Sequence, residues 1–598
     1  MERAFQVDLR GVVDLLSHHL YASPRVYLRE LLQNAVDAIT ARRSVEPDAQ
    51  ASVSIEPLGV APGGVLAIHD TGIGLTEPEV HELLATIGRS SKRDDLGFAR
   101  HGFLGQFGIG LLSCFLVADE VRVTTRSARG GPTTAWTGNA GGRYTVAAAA
   151  EERPQAGTTV ALRPRPGMEH WLAERTVADL AATFGSLLPV PVAVNGRVVT
   201  EDGLPWRGRF GSPDARRAAL DAYAEHVFGF APFATIDLNV PEAGLSGVAF
   251  VLPMAANPAA RGGHRVYLRR MLLAEGVDAL LPEWAFFVRC VVDTSELRPT
   301  ASREALYEDD LLADTREALG AQVRDWLVEL AATDPRRLLQ FLRVHHLGVK
   351  SLARHDDAML RVVDQWWPME TNLGPMTLRA FRRSHPTIRY TATSDEFREL
   401  AAVAEAQGIG LVNGGYAYDV EVMKRLPALD PAVRVQRLDP AELATRLEPP
   451  DPATAPRLAP LLGAASEVLG PLDCEPQLRA FDPPTLPALY LVGRHAVQAE
   501  EVRAARDVAD DLWSGVLSAL EPAAGPPARP QLVLNLRSPV VRRLVDLTDP
   551  QLTGLAVQAL YGQALLHGHH PLRPRDSAVL DRSFLGLLDR AIPVEGER

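Results

Sequence analysis

Hydrophobic positions along the first two hundred residues change period several times. In "YLRELLQNAVDAI", residues 27–39, Leu28, Leu31, Leu32, Ala35 and Ile39 recur at helical intervals, which predicts a helix over 27–43. Glu30, Asn34 and Asp37 are spaced by four and three, so at 3.6 residues per turn they share one stripe of it. Such a stripe is either the solvated face of an amphipathic helix or one wall of a site, and spacing alone does not separate the two. The pattern then becomes strand-like in "GGVLAIHD", "EVRVTTR" and "TTVALRPR", with a glycine-studded stretch between Gly88 and Gly110. "PVPVAVNGRVVT" sets an Asn-Gly pair between two β-rich arms, a hairpin signal.

Beyond residue 200 strands and helices alternate again. "GVAFVLPM", "HRVYLRRMLL" and "AFFVRCVVD" read as strands, 303–345 as helical, and "TIRYTATS" and "GIGLVNGG" as further β segments. "ALYLVG" and "QLVLNL" read as strands near the end, followed by amphipathic helices over 550–568 and 577–592. Composition supplies the divisions. A polar segment with Gly and Pro near 201–214 and the stretch "EPPDPATAPRLAP" have boundary or linker composition, and "AAGPPARP" at 523–530 reads as a loop. The expected organisation is 1–200, 201–448 and 449–598, an α/β multidomain chain in keeping with a length of 598 residues.

Charge and cysteine content narrow the function classes. A net charge of −12 argues against a general nucleic-acid binder. Cys114, Cys290 and Cys474 are too far apart to suggest a zinc site or a disulfide framework, and they fit a reducing compartment. The N-terminal residues lack the pattern of a signal peptide, and no apolar run is long enough to span a membrane, so a cytoplasmic location is expected. Lysine occurs only at 92, 350 and 424, which reads as composition bias rather than function.

The chemistry lies in the glycines. "HDTGIGLT" places Asp70 at a strand end, followed by Gly72 and Gly74, where the chain must turn sharply. A carboxylate there can accept a hydrogen bond from an exocyclic amine such as that of adenine. "GFLGQFGIGLLS" sets Gly102, Gly105, Gly108 and Gly110 before a helix-like apolar run, and free N–H groups at such a start suit phosphate oxygens. Either motif alone is more often a turn, and "GIGLVNGG" at 408–415 is read as structural. The chain contains no Gly-Lys pair, so any ATP site is not a P-loop. "HGHH" at 567–570 is better read as a surface loop than as a metal site, and neither a Gly-x-Ser-x-Gly elbow nor a His-Glu-x-x-His motif occurs.

The order of a helix bearing Glu, Asn and Asp, a strand-end Asp-Thr-Gly-Ile-Gly, a Gly-rich loop and "GTTV" at 157–160 resembles the ATPase superfamily uniting gyrase, heat-shock, histidine-kinase and mismatch-repair proteins (GHKL). "YLRELLQNAVDAI", "TIGRSSK", "GQFGIGLLSCFLVADEV" and "VRCVVDTSELRPTASREAL" resemble the heat-shock protein 90 family of chaperones in particular, with "RVYLRRMLL" in support. The resemblance extends over nearly the whole chain, most strongly over 20–125 and 264–306, and is of the bacterial high-temperature protein G type, which lacks a charged linker and an acidic tail. It implies an N-terminal Bergerat α/β sandwich that binds ATP, with a lid over 88–110, an α/β middle domain and an α+β C-terminal dimerisation domain. It also implies ATP hydrolysis driving closure and opening of a homodimer that acts on partly folded client proteins.

Residue by residue, the resemblance makes Glu30 the general base and Arg303, in "TASREAL", the arginine that reaches the γ-phosphate. Asn34 becomes the Mg²⁺ ligand and Asp37 a supporting member of the nucleotide pocket. Asp70 receives the adenine amino group, with Gly74 and Leu75 beside the base and Thr158 in a water-mediated contact. Gly105, Gln106, Phe107, Gly108, Ile109 and Gly110 contact phosphates, and Arg89 stands where the family has a lysine near the nucleotide. Leu83, Leu111, Leu112 and Thr300 depart from the family pattern and bear on lid kinetics and turnover. A DNA-acting relative of the same superfamily is the rival reading, disfavoured by the acidic charge, and a non-hydrolysing scaffold is the second.

Overall fold

The computed structural model describes residues 23–84, 110–201, 203–257, 263–300, 304–493 and 529–592. The chain forms two compact units, 1–329 and 330–598. No helix among the described residues is long and apolar enough to cross a membrane.

The first unit begins with helix α1 (Val26–Val45). Its expected apolar face is buried, but so are Arg29, Glu30, Gln33 and Asp37, so α1 is enclosed on nearly every side rather than amphipathic. Arg42 and Arg43 in the last turn suit the negative end of the helix dipole. The helix lies over a sheet of eight strands: β1 (Val53–Glu56), β2 (Leu66–Asp70), β3 (Ala118–Arg126), β4 (Thr134–Asn139), β5 (Tyr144–Ala148), β6 (Gly157–Pro164), β7 (Val192–Val194) and β8 (Arg197–Val198). Their spatial order is β5-β4-β3-β6-β2-β1-β7-β8, and only β1 and β7 pair in parallel. The register sets Asp70 at the end of β2 opposite Thr158 at the start of β6. Asn195 and Gly196 both take positive φ between β7 and β8, the turn that the Asn-Gly pair predicts.

A second sheet in this unit contains β9 (Ala234–Val240), β10 (Leu245–Val251), β11 (Arg265–Leu268), β12 (Met271–Glu275) and β13 (Val288–Thr294), in the order β12-β11-β13-β10-β9. Helix α2 (Glu174–Gly185) packs on both α1 and β12. The two sheets therefore share one apolar core, in which Leu32, Ile39, Val177 and Phe184 join Phe250, Met271 and Leu272.

In the second unit Thr387–Thr391, Leu411–Asn413 and Arg434–Arg437 form a parallel three-stranded sheet, and Glu475–Arg479, Ala488–Leu491 and Gln531–Asn535 form another of three strands. The continuous helix expected over 303–345 is instead Asp310–Thr333 followed by a helix starting at Pro335. Asp334 breaks it, its carboxylate accepting from Arg337 N at 3.0 Å as an N-cap. "EPPDPATAPRLAP" is not an open linker: Asp451 caps a short 3-10 turn that leads into the helix Ala455–Leu469. Proline is tolerated in a first helical turn, where its missing N–H costs no bond, so composition alone misreads the segment. Two helices, Pro550–His567 and Pro574–Ala591, close the described chain, both starting on proline as well. Cys114, Cys290 and Cys474 are buried free thiols.

Candidate functional site

The polar stripe of α1 divides in two. Glu30 is 4% exposed and Asp37 3% exposed, whereas Asn34 between them faces outward. Carboxylates are seldom buried without a partner or a task, so a solvated face does not account for Glu30 and Asp37. One oxygen of Glu30, Oε1, lies 3.5 Å from Arg29 Nη2, itself buried. The other, Oε2, faces the backbone of Gly110, where a Cβ would sit only 2.7 Å away. Gly110 opens the 3-10 turn Gly110–Leu116, which packs on α1, with Ser113 Oγ donating to the Gly110 carbonyl at 2.6 Å. The end of the Gly-rich segment is thus brought against the first acid of the stripe. Burial, with Glu30 beside it, pushes the Cys114 thiol well above its ordinary range.

The Asp-Thr-Gly-Ile-Gly turn reaches the other end of α1. Ile73 N donates to the Ala38 carbonyl at 3.0 Å, and Arg42 Nη1 donates to Thr71 O at 3.0 Å and Ala156 O at 3.3 Å. A Cβ at Gly72 would fall 2.5 Å from Ala38 Cβ, so only glycine lets the turn touch the helix. Gly74 has φ +64°, and a Cβ there would meet the Arg126 carbonyl at 1.9 Å. Protein packing thus demands glycine at both positions. Leu75 N donates to Thr125 Oγ1 at 2.9 Å, and that hydroxyl lies 3.1 Å from Thr158 Oγ1.

Asp70 is the chemical centre of the turn. Its Oδ1 accepts from Gly72 N at 2.8 Å and Thr158 N at 3.3 Å, and Oδ2 has no hydrogen bond among the described residues. Burial pushes its pKa up to about 6, against the opposing pull of those two N–H groups and of Arg153. The neighbouring His69 pairs its Nδ1 with Thr159 Oγ1 at 2.9 Å, and burial lowers its basicity.

Eight predicted site residues are therefore described: Glu30, Asn34, Asp37, Asp70, Gly74, Leu75, Gly110 and Thr158. Helix α1, the glycine turn and the start of β6 are joined by the bonds above. Arg89, Gly105, Gln106, Phe107, Gly108, Ile109 and Arg303 lie outside the described residues. The chain on either side of Arg303 is closed by Thr300 N donating to the Ala305 carbonyl at 2.9 Å. Sequence reasoning missed Arg29, Thr125 and Arg153. The β3–β6 register sets Thr125 opposite Thr158, and the loop before β6 brings Arg153 to the Asp70 carbonyl, with no local motif to mark either.

No family model matches the chain. The chain is 31% identical over 369 residues to the chaperone protein HtpG of Nitratidesulfovibrio vulgaris, covering 57% of each protein. It is 31% identical over 348 residues to that of Methylobacterium nodulans, covering 54% of this chain and 55% of the relative. It is 27% identical over 374 residues to the mitochondrial heat shock protein 75 kDa of Rattus norvegicus, covering 59% of this chain and 52% of the relative. The chain thus spans a little over half the length of the curated relatives it matches. Over a little more than half of its length the chain is thus similar to HtpG chaperones and to a mitochondrial heat shock protein.

Proposed function

We propose that the chain is an ATP-dependent molecular chaperone that works as a homodimeric clamp on partly folded client proteins, with Mg²⁺ as cofactor. The observation that carries this reading is the burial of Glu30 and Asp37 on a helix that contacts both Gly110 and the Asp70 turn. The donors present suit the ligands. Asp70 keeps one carboxylate oxygen open toward an amine, as an adenine ring needs. Asn34 offers a single outward amide, which suits Mg²⁺, a cation that usually keeps several waters and takes further oxygens from phosphates.

In the proposed mechanism Asp70 fixes the base and Asn34 orients the bound metal, while Glu30 orients the attacking water and receives its proton. Asn34 would hold Mg²⁺, which when bound would supply charge neutralisation on the phosphate oxygens. Arg29 holds Glu30 Oε1 from the side, and Gly110, having no side chain of its own, lies close against Oε2. Arg303 would add a cation as charge moves to the transferring phosphoryl group. The segment 88–110 would act as the lid, and nucleotide shifts the clamp only as far as it binds the closed form better than the open one.

Support for the homodimer lies in the last helix and the residue that follows it, where Phe584, Leu585 and Ile592 are each more than half exposed. Together with Leu566 on the preceding helix, Phe584 and Leu587 border an open groove of about 440 Å³. Such a patch is costly to leave in water and suits a second copy of the same pair of helices. The reading is tested by following aggregation of a heat-denatured model protein with and without Mg-ATP. Suppression that changes with ATP is expected. Failure to bind any adenine nucleotide, or aggregation unaffected by the protein, refutes it.

A further inference from the structure

Arg153 lies in the loop before β6 and is not accounted for by the roles above. It is held at both ends of its backbone: its N–H donates to Thr133 Oγ1 at 3.0 Å, and its carbonyl accepts from Arg126 Nη1. Its guanidinium reaches the end of β2, where Nη2 donates to the Asp70 carbonyl at 3.4 Å and Nη1 donates to Thr159 Oγ1. The other charged groups about this turn are engaged elsewhere. Arg42 of α1 spends its donors on the Thr71 and Ala156 carbonyls and on Glu46, and His69 faces Glu56 at 3.8 Å.

Resting on the nucleotide reading, we propose that Arg153 is a positioning residue for base recognition: by binding the Asp70 carbonyl and Thr159 it braces the end of β2 and sets a cation next to the residue that accepts the amino hydrogen of adenine. The margin is narrow. Asp70 titrates at about 6 with Arg153 present, only a little below neutrality. Burial works against the charge on Arg153 and Asp70 favours it, while Arg153 lowers the Asp70 value, so removing the cation raises the pH at which Asp70 titrates.

The test is calorimetric binding of ADP to the full chain from pH 5.5 to 8.5, for wild type, Arg153→Gln and Arg153→Lys. Wild-type affinity falls below about pH 6, and Arg153→Gln moves the midpoint upward. A rise of about one pH unit costs about fivefold in affinity at pH 6 and almost nothing at pH 8. Arg153→Lys, which retains the charge, keeps its midpoint close to that of wild type. A second arm uses nucleotide-free protein and the melting temperature. Arg153→Gln lowers it at pH 7.5 by more in the wild-type background than in Asp70→Asn, and the excess vanishes at pH 5. Equal effects in both backgrounds overturn the Arg153 assignment, as does a binding profile whose midpoint does not move. ADP binding by no variant at any pH, with the melting difference intact, overturns instead the nucleotide reading and the recognition role built on it.

Discussion

Replacing Asp70 by Asn separates the cost of the base-binding group from its use. The Asp70 carboxyl titrates at about 6 in the folded chain, against an ordinary value of 3.8. A raised folded pKa means that the folded form holds its proton more tightly than the unfolded chain. The stability it contributes is complete below 3.8 and is lost as pH climbs through about 6. At about 1.4 kcal/mol per pH unit, the loss above pH 6 is about 3 kcal/mol. An amide keeps the shape and can still accept from Gly72 N and Thr158 N, but it carries no charge to desolvate. Asp70→Asn should therefore stabilise nucleotide-free protein at pH 7.5 by up to about 3 kcal/mol, and by about half as much at pH 5. At roughly 2 °C per kcal/mol for a large unit, the gain in melting temperature at pH 7.5 is about 4–6 °C. Tryptophan fluorescence follows it, since Trp136 and Trp171 lie in the same unit. Nucleotide affinity should fall in the same variant. A melting temperature that drops equally at both pH values would refute the argument, because Asp70 would then be a structural acceptor and not a strained charge.

Three further substitutions probe separate parts of the account. Gly110→Ala puts a Cβ about where Glu30 Oε2 needs room, so ATP turnover should fall by about tenfold or more while ADP affinity changes little, as read from kcat and calorimetry. Lys350→Ala breaks a buried pair in the second unit, where Lys350 Nζ lies 2.5 Å from Asp419 and 5.0 Å from the Trp367 ring centre. Leaving Asp419 buried and uncompensated should cost about 3–5 kcal/mol in denaturant unfolding of that unit. Phe584→Asp places a charge in the apolar ridge of the last helix, and sedimentation should report a dimer for the wild type and a monomer for the variant.

Local pattern was enough to place the helix over Glu30, the Asn-Gly hairpin and the turn after Asp70, because each rests on interactions within a few residues. It was not enough to say which side of α1 is wet. The stripe contains two buried acids and one outward amide, and that division depends on Gly110 and Gly72 packing from distant segments. Gly72 and Gly74 read as a sharp turn from sequence alone, and what requires glycine at both is the close approach of Ala38 and of the Arg126 carbonyl. Arg153 carried no signal, since its role depends on β6 pairing with β2. The prolines around residue 452 misled for a simpler reason: the residue that breaks a helix interior is also favoured at a helix start.

The central claim is that the buried acid stripe is the catalytic wall of an ATP site. Steady-state hydrolysis of Mg-ATP by wild type and Glu30→Ala, with ADP binding measured on both, tests it most directly. The account predicts magnesium-dependent turnover in the wild type, turnover lost in Glu30→Ala, and nucleotide affinity retained in both. Equal hydrolysis by the two proteins would contradict it.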